Sequence, residues 1–205
     1  MSFSIRTVGL VIGFLGWVIP CKADTPIPCC STSLDATERL LLVPDMNGAD
    51  PHPMASFTVT VRNEDCVPIA NATVQVTIGG LVDGRTRLCG VSVTTGTTNS
   101  LGEVRMNIAG GGCYRGQSAV SIRANGVEIR NFGAVLSPDY AGWDNDGIAG
   151  RSDLRVTVLD FASFAQAFHV GGPSCHDYNN NQNMDASDFS VFGQIWSGGT
   201  RGCDP

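Results

Sequence analysis

Residues 177 to 188 read Asp177-Tyr-Asn179-Asn-Asn181-Gln-Asn183-Met-Asp185-Ala-Ser-Asp188. Counted from Asp177, side-chain oxygens fall at positions 1, 3, 5, 9 and 12, and Asn183 at position 7 offers its backbone carbonyl. A hard dication takes six to eight oxygens at about 2.3 to 2.6 Å, and closely spaced Asp and Asn supply them. The carboxylates of Asp177, Asp185 and Asp188 more than balance one Ca²⁺. Mg²⁺, which keeps its waters and binds few carboxylates, suits the set less well. Met184 takes position 8, where an apolar side chain can anchor the loop into a core. Two residues run against the pattern. Gln182 holds position 6, where the sharp turn prefers Gly and a left-handed backbone costs ~1 kcal/mol or more. Asp188 closes the loop in place of the longer Glu. The plainer alternative is an Asn/Asp-rich turn ending in a helix-capping Asp.

The elements around this loop favour the metal. Asp160-Phe-Ala-Ser-Phe-Ala-Gln-Ala-Phe168 repeats at an offset of 28 residues as Asp188-Phe-Ser-Val-Phe-Gly-Gln-Ile-Trp196. Phe161, Phe164, Ala165 and Phe168 fall at helical spacing, as do Phe189, Phe192, Gly193 and Trp196, so one apolar helix face is written twice. Gly171-Gly-Pro173 and Gly198-Gly199 stop the helices. Counted as an EF-hand loop, the second repeat is the clearer one. For the first, the helix alignment puts position 1 on Ala149, which has no ligand oxygen, with Asp153 in the place of Asn181 and Val156 in that of Met184. A frame starting at Gly142 instead places Asp144, Asp146, Gly147 and Asp153 at positions 3, 5, 6 and 12. A third frame begins at Asp139 with about ten inserted residues. We favour an expanded loop closing at Asp160, with Asp153 and Asp160 as its candidate ligands, because the helix repeat fixes that end.

Upstream, residues 36 to 136 are strand-like. Phe57-Thr-Val59-Thr-Val61 and Ala72-Thr-Val74-Gln-Val76-Thr-Ile78 alternate, as half-buried strands do, and Asn63 to Pro68 reads as the turn of a hairpin between them. Val91–Val93, Glu103–Ile108 and Ala119–Arg123 continue the pattern, with turn chemistry at Asn99-Ser-Leu-Gly102 and Asn125-Gly126. Six or seven short strands over about 100 residues predict an antiparallel sandwich.

The ends and the charge set the compartment. Arg6, an apolar run from Val8 to Ile19, Pro20 and Cys21-Lys22-Ala23 follow the order of a secretory signal peptide cleaved after Ala23. The run is shorter than the ~20 residues of a membrane span. Residues 1–23 are thus expected to be a leader and 24–35 a linker. Beyond the leader, 11 Arg, no Lys and 19 acids remain, a net charge of −8. Nine Asp and three Arg lie in residues 137 to 205. A basic groove for nucleic acid is ruled out. Seven cysteines remain (Cys29, Cys30, Cys66, Cys89, Cys113, Cys175 and Cys203), in a disulfide-permissive compartment and with no CxxC pair to suggest zinc.

Val59-Thr-Val-Arg-Asn, Val67-Pro-Ile-Ala-Asn-Ala-Thr-Val74 and Thr97-Thr-Asn-Ser-Leu-Gly-Glu-Val104 resemble bacterial Ig-like domains of the invasin and intimin type, over residues 36 to 136. The resemblance implies a spacer or adhesive module. In departure from that pattern, Leu88-Cys-Gly and Gly110-Gly-Gly-Cys-Tyr carry cysteines. A Cys89–Cys113 bridge is expected, with Cys66 left for Cys29 or Cys30. The duplicated loop and helix of residues 137 to 205 resemble a dockerin. That resemblance implies calcium-dependent folding and docking onto a cohesin-like protein domain. Its recognition positions match Ala186, Ser187 and Ser190 here, with Val158, Leu159 and Ala162 in the other repeat. Cys175 and Cys203 flank the second unit and are expected to clasp it.

The fold class expected is therefore mainly β, an Ig-like antiparallel β-sandwich followed by a small α-helical dockerin-like module. His52, His169 and His176 stand in no nucleophile motif, and no Gly-x-Ser-x-Gly, HExxH or phosphate loop is present, so an enzyme is not expected. His176 reads as a surface residue. The expected role is a secreted, non-catalytic Ca²⁺-binding protein that docks or displays. The alternative is an extracellular structural or adhesive protein whose calcium loops only stabilise the fold, with a polysaccharide-related enzyme third.

Overall fold

The computed structural model describes residues 25–28, 30–33, 39–45, 52–140, 152–171, 174–196 and 201–203. The expected leader, Cys21, Cys29, residues 141 to 151 and Gly198-Gly199 lie outside them. The fold is mainly β. Its strands are β1 Thr32–Ser33, β2 Arg39–Leu41, β3 Ser56–Thr60, β4 Thr73–Ile78, β5 Thr86–Leu88, β6 Thr95–Thr97, β7 Glu103–Asn107, β8 Gly110–Gly112, β9 Tyr114–Ala124, β10 Val127–Leu136, β11 Arg155–Val156 and β12 Arg201–Gly202. Helix α1 (Val158–Val170) follows β11, and α2 (Ala186–Trp196) precedes β12. The first strand lies inside the span expected to be a linker.

Alternation places the side chains as the sequence predicts. Val74, Val76 and Ile78 of β4 are buried while Thr73, Gln75 and Thr77 face out. The connectivity differs. Strand β3 pairs with β1 and β7, whereas β4 pairs with β9 and β6 in a five-stranded sheet ordered β2-β10-β9-β4-β6. Strands β3 and β4 are therefore not paired with each other, and the chain changes sheets through the 61–72 segment, which folds back on itself through the Asn63 N–H to Val67 carbonyl and Ile69 N–H to Val61 carbonyl bonds, each 3.0 Å, around an Arg62–Pro68 bridge. Val91 and Val93 are exposed, and the strand forms at Thr95–Thr97 instead. Asn125-Gly126 turns β9 into β10, with φ of 48° and 82° at the two residues, the left-handed pair that a two-residue hairpin needs.

Residues of β3, β4, β7, β9 and β10 share the larger core, with Val59, Val76, Met106, Ile122 and Val135 at its centre. A second core lies on the other side of the parallel β2–β10 ladder. Leu40, Leu42 and Val135 face the first core; Leu41, Val43, Ala134 and Leu136 face the second, against Phe164, Tyr178, Phe192 and Ile195. Parallel strands buried on both faces read as unbroken apolar runs. That is why Leu40-Leu-Leu-Val43 shows no alternation. The helices thus pack onto the strand region through a shared core.

Three disulfides are present: Cys30–Cys66, Cys89–Cys203 and Cys113–Cys175. Cys30 is one of the two partners expected for Cys66; the Cys89–Cys113 and Cys175–Cys203 pairings are overturned. The β5–β8 register explains the first of these corrections. It sets Thr86 opposite Gly112 and Leu88 opposite Gly110, so Cys89 and Cys113 sit beyond opposite ends of the ladder. Four residues at ~3.3 Å each separate them by far more than a disulfide spans. Both cysteines reach into the C-terminal segment instead.

Strand β8 is all glycine and buried. A Cβ on Gly111 would collide with the Asp139 carboxylate and the Ser152 hydroxyl. Gly111→Ala is therefore expected to destabilise by about 3 kcal/mol, as overpacking does. Gly193→Ala in α2, where a Cβ meets nothing, should gain up to ~1 kcal/mol from helix propensity. Urea unfolding of the two variants side by side checks both signs.

Candidate metal centre

Both helices begin with the same chemistry. Thr157 caps α1, accepting the Leu159 N–H at 3.1 Å, while Asp160 Oδ2 accepts the Thr157 N–H at 2.7 Å. Ahead of α2, Asp185 Oδ1 accepts the Ser187 N–H at 2.8 Å and Asp188 Oδ2 accepts the Asp185 N–H at 3.0 Å. These are capping boxes with Asp as the returning acid. Asp160 and Asp188 are both buried. The second oxygen of Asp188 accepts the Asn179 N–H at 3.2 Å, tying the start of the loop to the start of the helix. The Tyr178 backbone N–H also faces Asp188, as the Tyr140 N–H faces Asp160.

Asp177 is fully buried and organises the loop's first half. Its Oδ1 accepts the Asn181 N–H and its Oδ2 the Gln182 N–H, each at 3.0 Å. Asn179 and Asn181 make successive turns by accepting the N–H two residues on, at 2.9 and 2.8 Å. Gln182 adopts φ 71°, the left-handed backbone that position 6 demands despite its side chain. Met184 packs against the helical core as expected. Asp185 is turned toward Ser187 and the Asn181 amide (3.1 Å), and these contacts hold its carboxyl below the usual range. Asn183 is exposed.

The loop therefore carries Asp177 and Asp188 buried at its two ends, with Asn179 and Asn181 oxygens along it. Burial pushes the Asp188 carboxyl up, and the nearby Asp177 carboxylate adds to the rise. Among the described residues, no three His, Cys, Asp or Glu side chains converge tightly enough to hold a metal by themselves. An all-oxygen set of carboxylate, amide and carbonyl groups nevertheless suits a hard cation.

In the first repeat, Asp160 Oδ1 is buried and makes no hydrogen bond, and burial lifts this carboxyl to about 7. Asp153 is half-buried, its Oδ1 accepting the Arg155 N–H at 2.8 Å. Of the three frames for this loop, the one beginning at Asp139 has both its ends, Asp139 and Asp160, among the described residues. Asp139 is 1% exposed and bonded to the Ser152 hydroxyl. A signal for it lay in the chain: Asp139-Tyr140 repeats Asp177-Tyr178, ahead of the capped helix in each unit. Asp144 and Asp146 lie outside the described residues.

The two units meet at Tyr178. Its ring stacks on Phe164 at 6.0 Å, and Phe164 stacks in turn on Phe192 at 5.4 Å. Burial, then the Asp160, Asp188 and Asp139 carboxylates, push the Tyr178 phenol well above its usual range. The phenol lies 2.9 Å from His176 Nδ1, and His176 Nε2 lies 2.9 Å from the Ser163 hydroxyl. His176 is buried in this aromatic cluster, not on the surface. Burial lowers its imidazole to about 4.

Native stability should therefore fall relative to His176→Gln as pH drops from 6.5 toward 4, since the unfolded chain takes up a proton that the fold excludes. The slope approaches ~1.4 kcal/mol per pH unit. Asp160 has the opposite sign: its contribution is present at low pH and lost as pH rises through about 7. Urea unfolding of native and variant chains in chelator at pH 7, 6 and 5 isolates the histidine.

Of the expected recognition positions, Ala186, Ser187 and Ser190 are exposed, as are Val158, Leu159 and Ala162. The Ser187 hydroxyl is bonded to Asp185 and to the Asn179 amide. Phe168 and Phe189, read as core from their spacing, stay 46% and 52% exposed. With Phe161, Phe164 and Ala165 they line an apolar groove of about 290 Å³. No helix among the described residues is long and apolar enough to cross a membrane. Compared with protein families, curated proteins and solved structures, the chain matches none.

Proposed function

We propose that this chain is an exported, non-catalytic calcium-binding protein. Its strand region forms an Ig-like sandwich, and residues 137 to 205 form a dockerin-like unit that docks a cohesin-like partner outside the cell. The observation that carries the reading is the pairing of Asp177 and Asp188, two fully buried like-charged carboxylates held at the two ends of one loop. Burying like charges together is costly unless cations offset it, and among the described residues Arg115 reaches Asp177 at 3.4 Å but no cationic side chain pairs with Asp188. Asp177, Asn179, Asn181 and Asp188 would hold the ion through side-chain oxygens, Asn183 through its carbonyl and Asp185 through water. In the first repeat the buried Asp160 Oδ1, which has no hydrogen bond, is the oxygen that a cation would take up. The ion supplies charge balance, and the chain's own caps supply the shape.

Calorimetric titration of the full chain with Ca²⁺ after chelation tests this, with saturable uptake expected and Mg²⁺ binding far more weakly. A chain that takes up no Ca²⁺ ends the reading. Capture of a cohesin-like domain that is abolished by chelator supports docking.

A second reading, an extracellular structural protein whose loops only stabilise it, draws on the two disulfides and the shared core that fasten the helices to the strands. It predicts a calcium-dependent rise in melting temperature with no partner captured.

A further inference from the structure

The geometry points to Arg115 as a built-in counter-cation of the Asp177 loop, one that holds the loop folded without calcium and limits how tightly calcium binds. This rests on the calcium reading above. Arg115 lies at the start of β9, two residues after Cys113, whose disulfide to Cys175 brings the strand against the loop. Its guanidinium donates from Nη2 to the Ser174 carbonyl at 2.7 Å and from Nη1 to Asn180 Oδ1 at 3.0 Å, and Nη2 lies 3.4 Å from Asp177 Oδ2. One planar fork thus spans the residues leading into the loop, its first ligand and its fourth residue. Asp177 is completely buried, and the Arg115 side chain is 32% exposed.

A dication on Asp177 would sit beside this positive charge. The two cations compete for one carboxylate, so each calcium bound must overcome a repulsion that the loop sequence alone does not reveal. At a partly exposed position that repulsion is worth roughly tenfold in affinity and shrinks with added salt. In exchange, Arg115 preserves the Asn181 and Gln182 amide bonds to Asp177 when calcium is scarce.

Calcium calorimetry and melting in chelator, on the full chain, separate these effects by sign. Arg115→Gln is expected to tighten calcium binding roughly tenfold while melting lower in chelator. Arg115→Lys keeps the charge and should stay within about threefold of native affinity. Asn180→Gly, at a residue with φ 55°, removes one anchor of the fork without changing charge. It should tighten binding by a smaller factor, and it provides the test if Arg115→Gln does not fold. A native chain that binds calcium, with Arg115→Gln and Asn180→Gly binding no tighter, overturns this inference alone. A native chain that binds none overturns the functional reading and this inference with it.

Discussion

Replacing Asp177 and Asp188 together by Ala is expected to remove one calcium from the stoichiometry and, even in chelator, to cost about 4 kcal/mol or more of stability. The second effect follows from what the carboxylates do without a metal. Asp177 accepts the N–H groups of Asn181 and Gln182, and Asp188 those of Asn179 and Asp185. Gln182, Asn179 and Asp185 lose their acceptors while Asn181 keeps the Asn179 side-chain oxygen, and each donor left dry costs ~1 to 3 kcal/mol, less wherever water enters. Arg115 also loses its charge partner. Separating the pair into Asp177→Asn and Asp188→Asn keeps much of the shape, so calcium uptake should fall further than stability does. Calorimetry and urea unfolding together read the difference. Unchanged calcium stoichiometry in the double Ala variant would falsify the loop assignment.

The second large effect belongs to the disulfides. Cys89–Cys203 spans 114 residues and Cys113–Cys175 spans 62. By chain entropy each closure stabilises the fold by about 4 to 5 kcal/mol. The second closure adds less than the first, because the loops overlap. Cys113→Ser with Cys175→Ser should therefore loosen α1 and α2 before the strands. Hydrogen exchange would show it as lost protection at Phe164 and Phe192 while Val76 and Ile122 stay protected. Non-reducing peptide maps should recover Cys89 with Cys203 and Cys113 with Cys175. Recovery of Cys175 bound to Cys203 would restore the local clasp and remove this prediction.

What could be read from the chain alone depended on the range of the interaction involved. Alternation at Thr73–Ile78 and the duplicated Asp160 and Asp188 segments are local signals, and both elements formed where their periodicity placed them. So did the strained turn at Gln182. The sheet that β3 joins is not a local property: Asn63–Pro68 turns the chain as its residues predict, yet β3 and β4 go to different sheets. Cysteine pairing fails for the same reason, since nothing near Cys89 says that Cys203 returns to it. His176 reads as a surface residue because a lone polar residue beside a polar loop gives no sign of the Phe164 and Tyr178 rings that enclose it. Arg115 lies 62 residues before Asp177, and only the fold brings its charge to the loop.

The Cys89–Cys203 bridge also decides how the molecule carries load. A pull applied beyond Cys203 passes through sulfur directly to the segment after β5 and bypasses the 113 residues between the two cysteines. Helices α1 and α2 lie on that slack path. Tension on the C-terminal end thus reaches the β strands first, and the loop at Asp177 can close or open around an ion without being stretched.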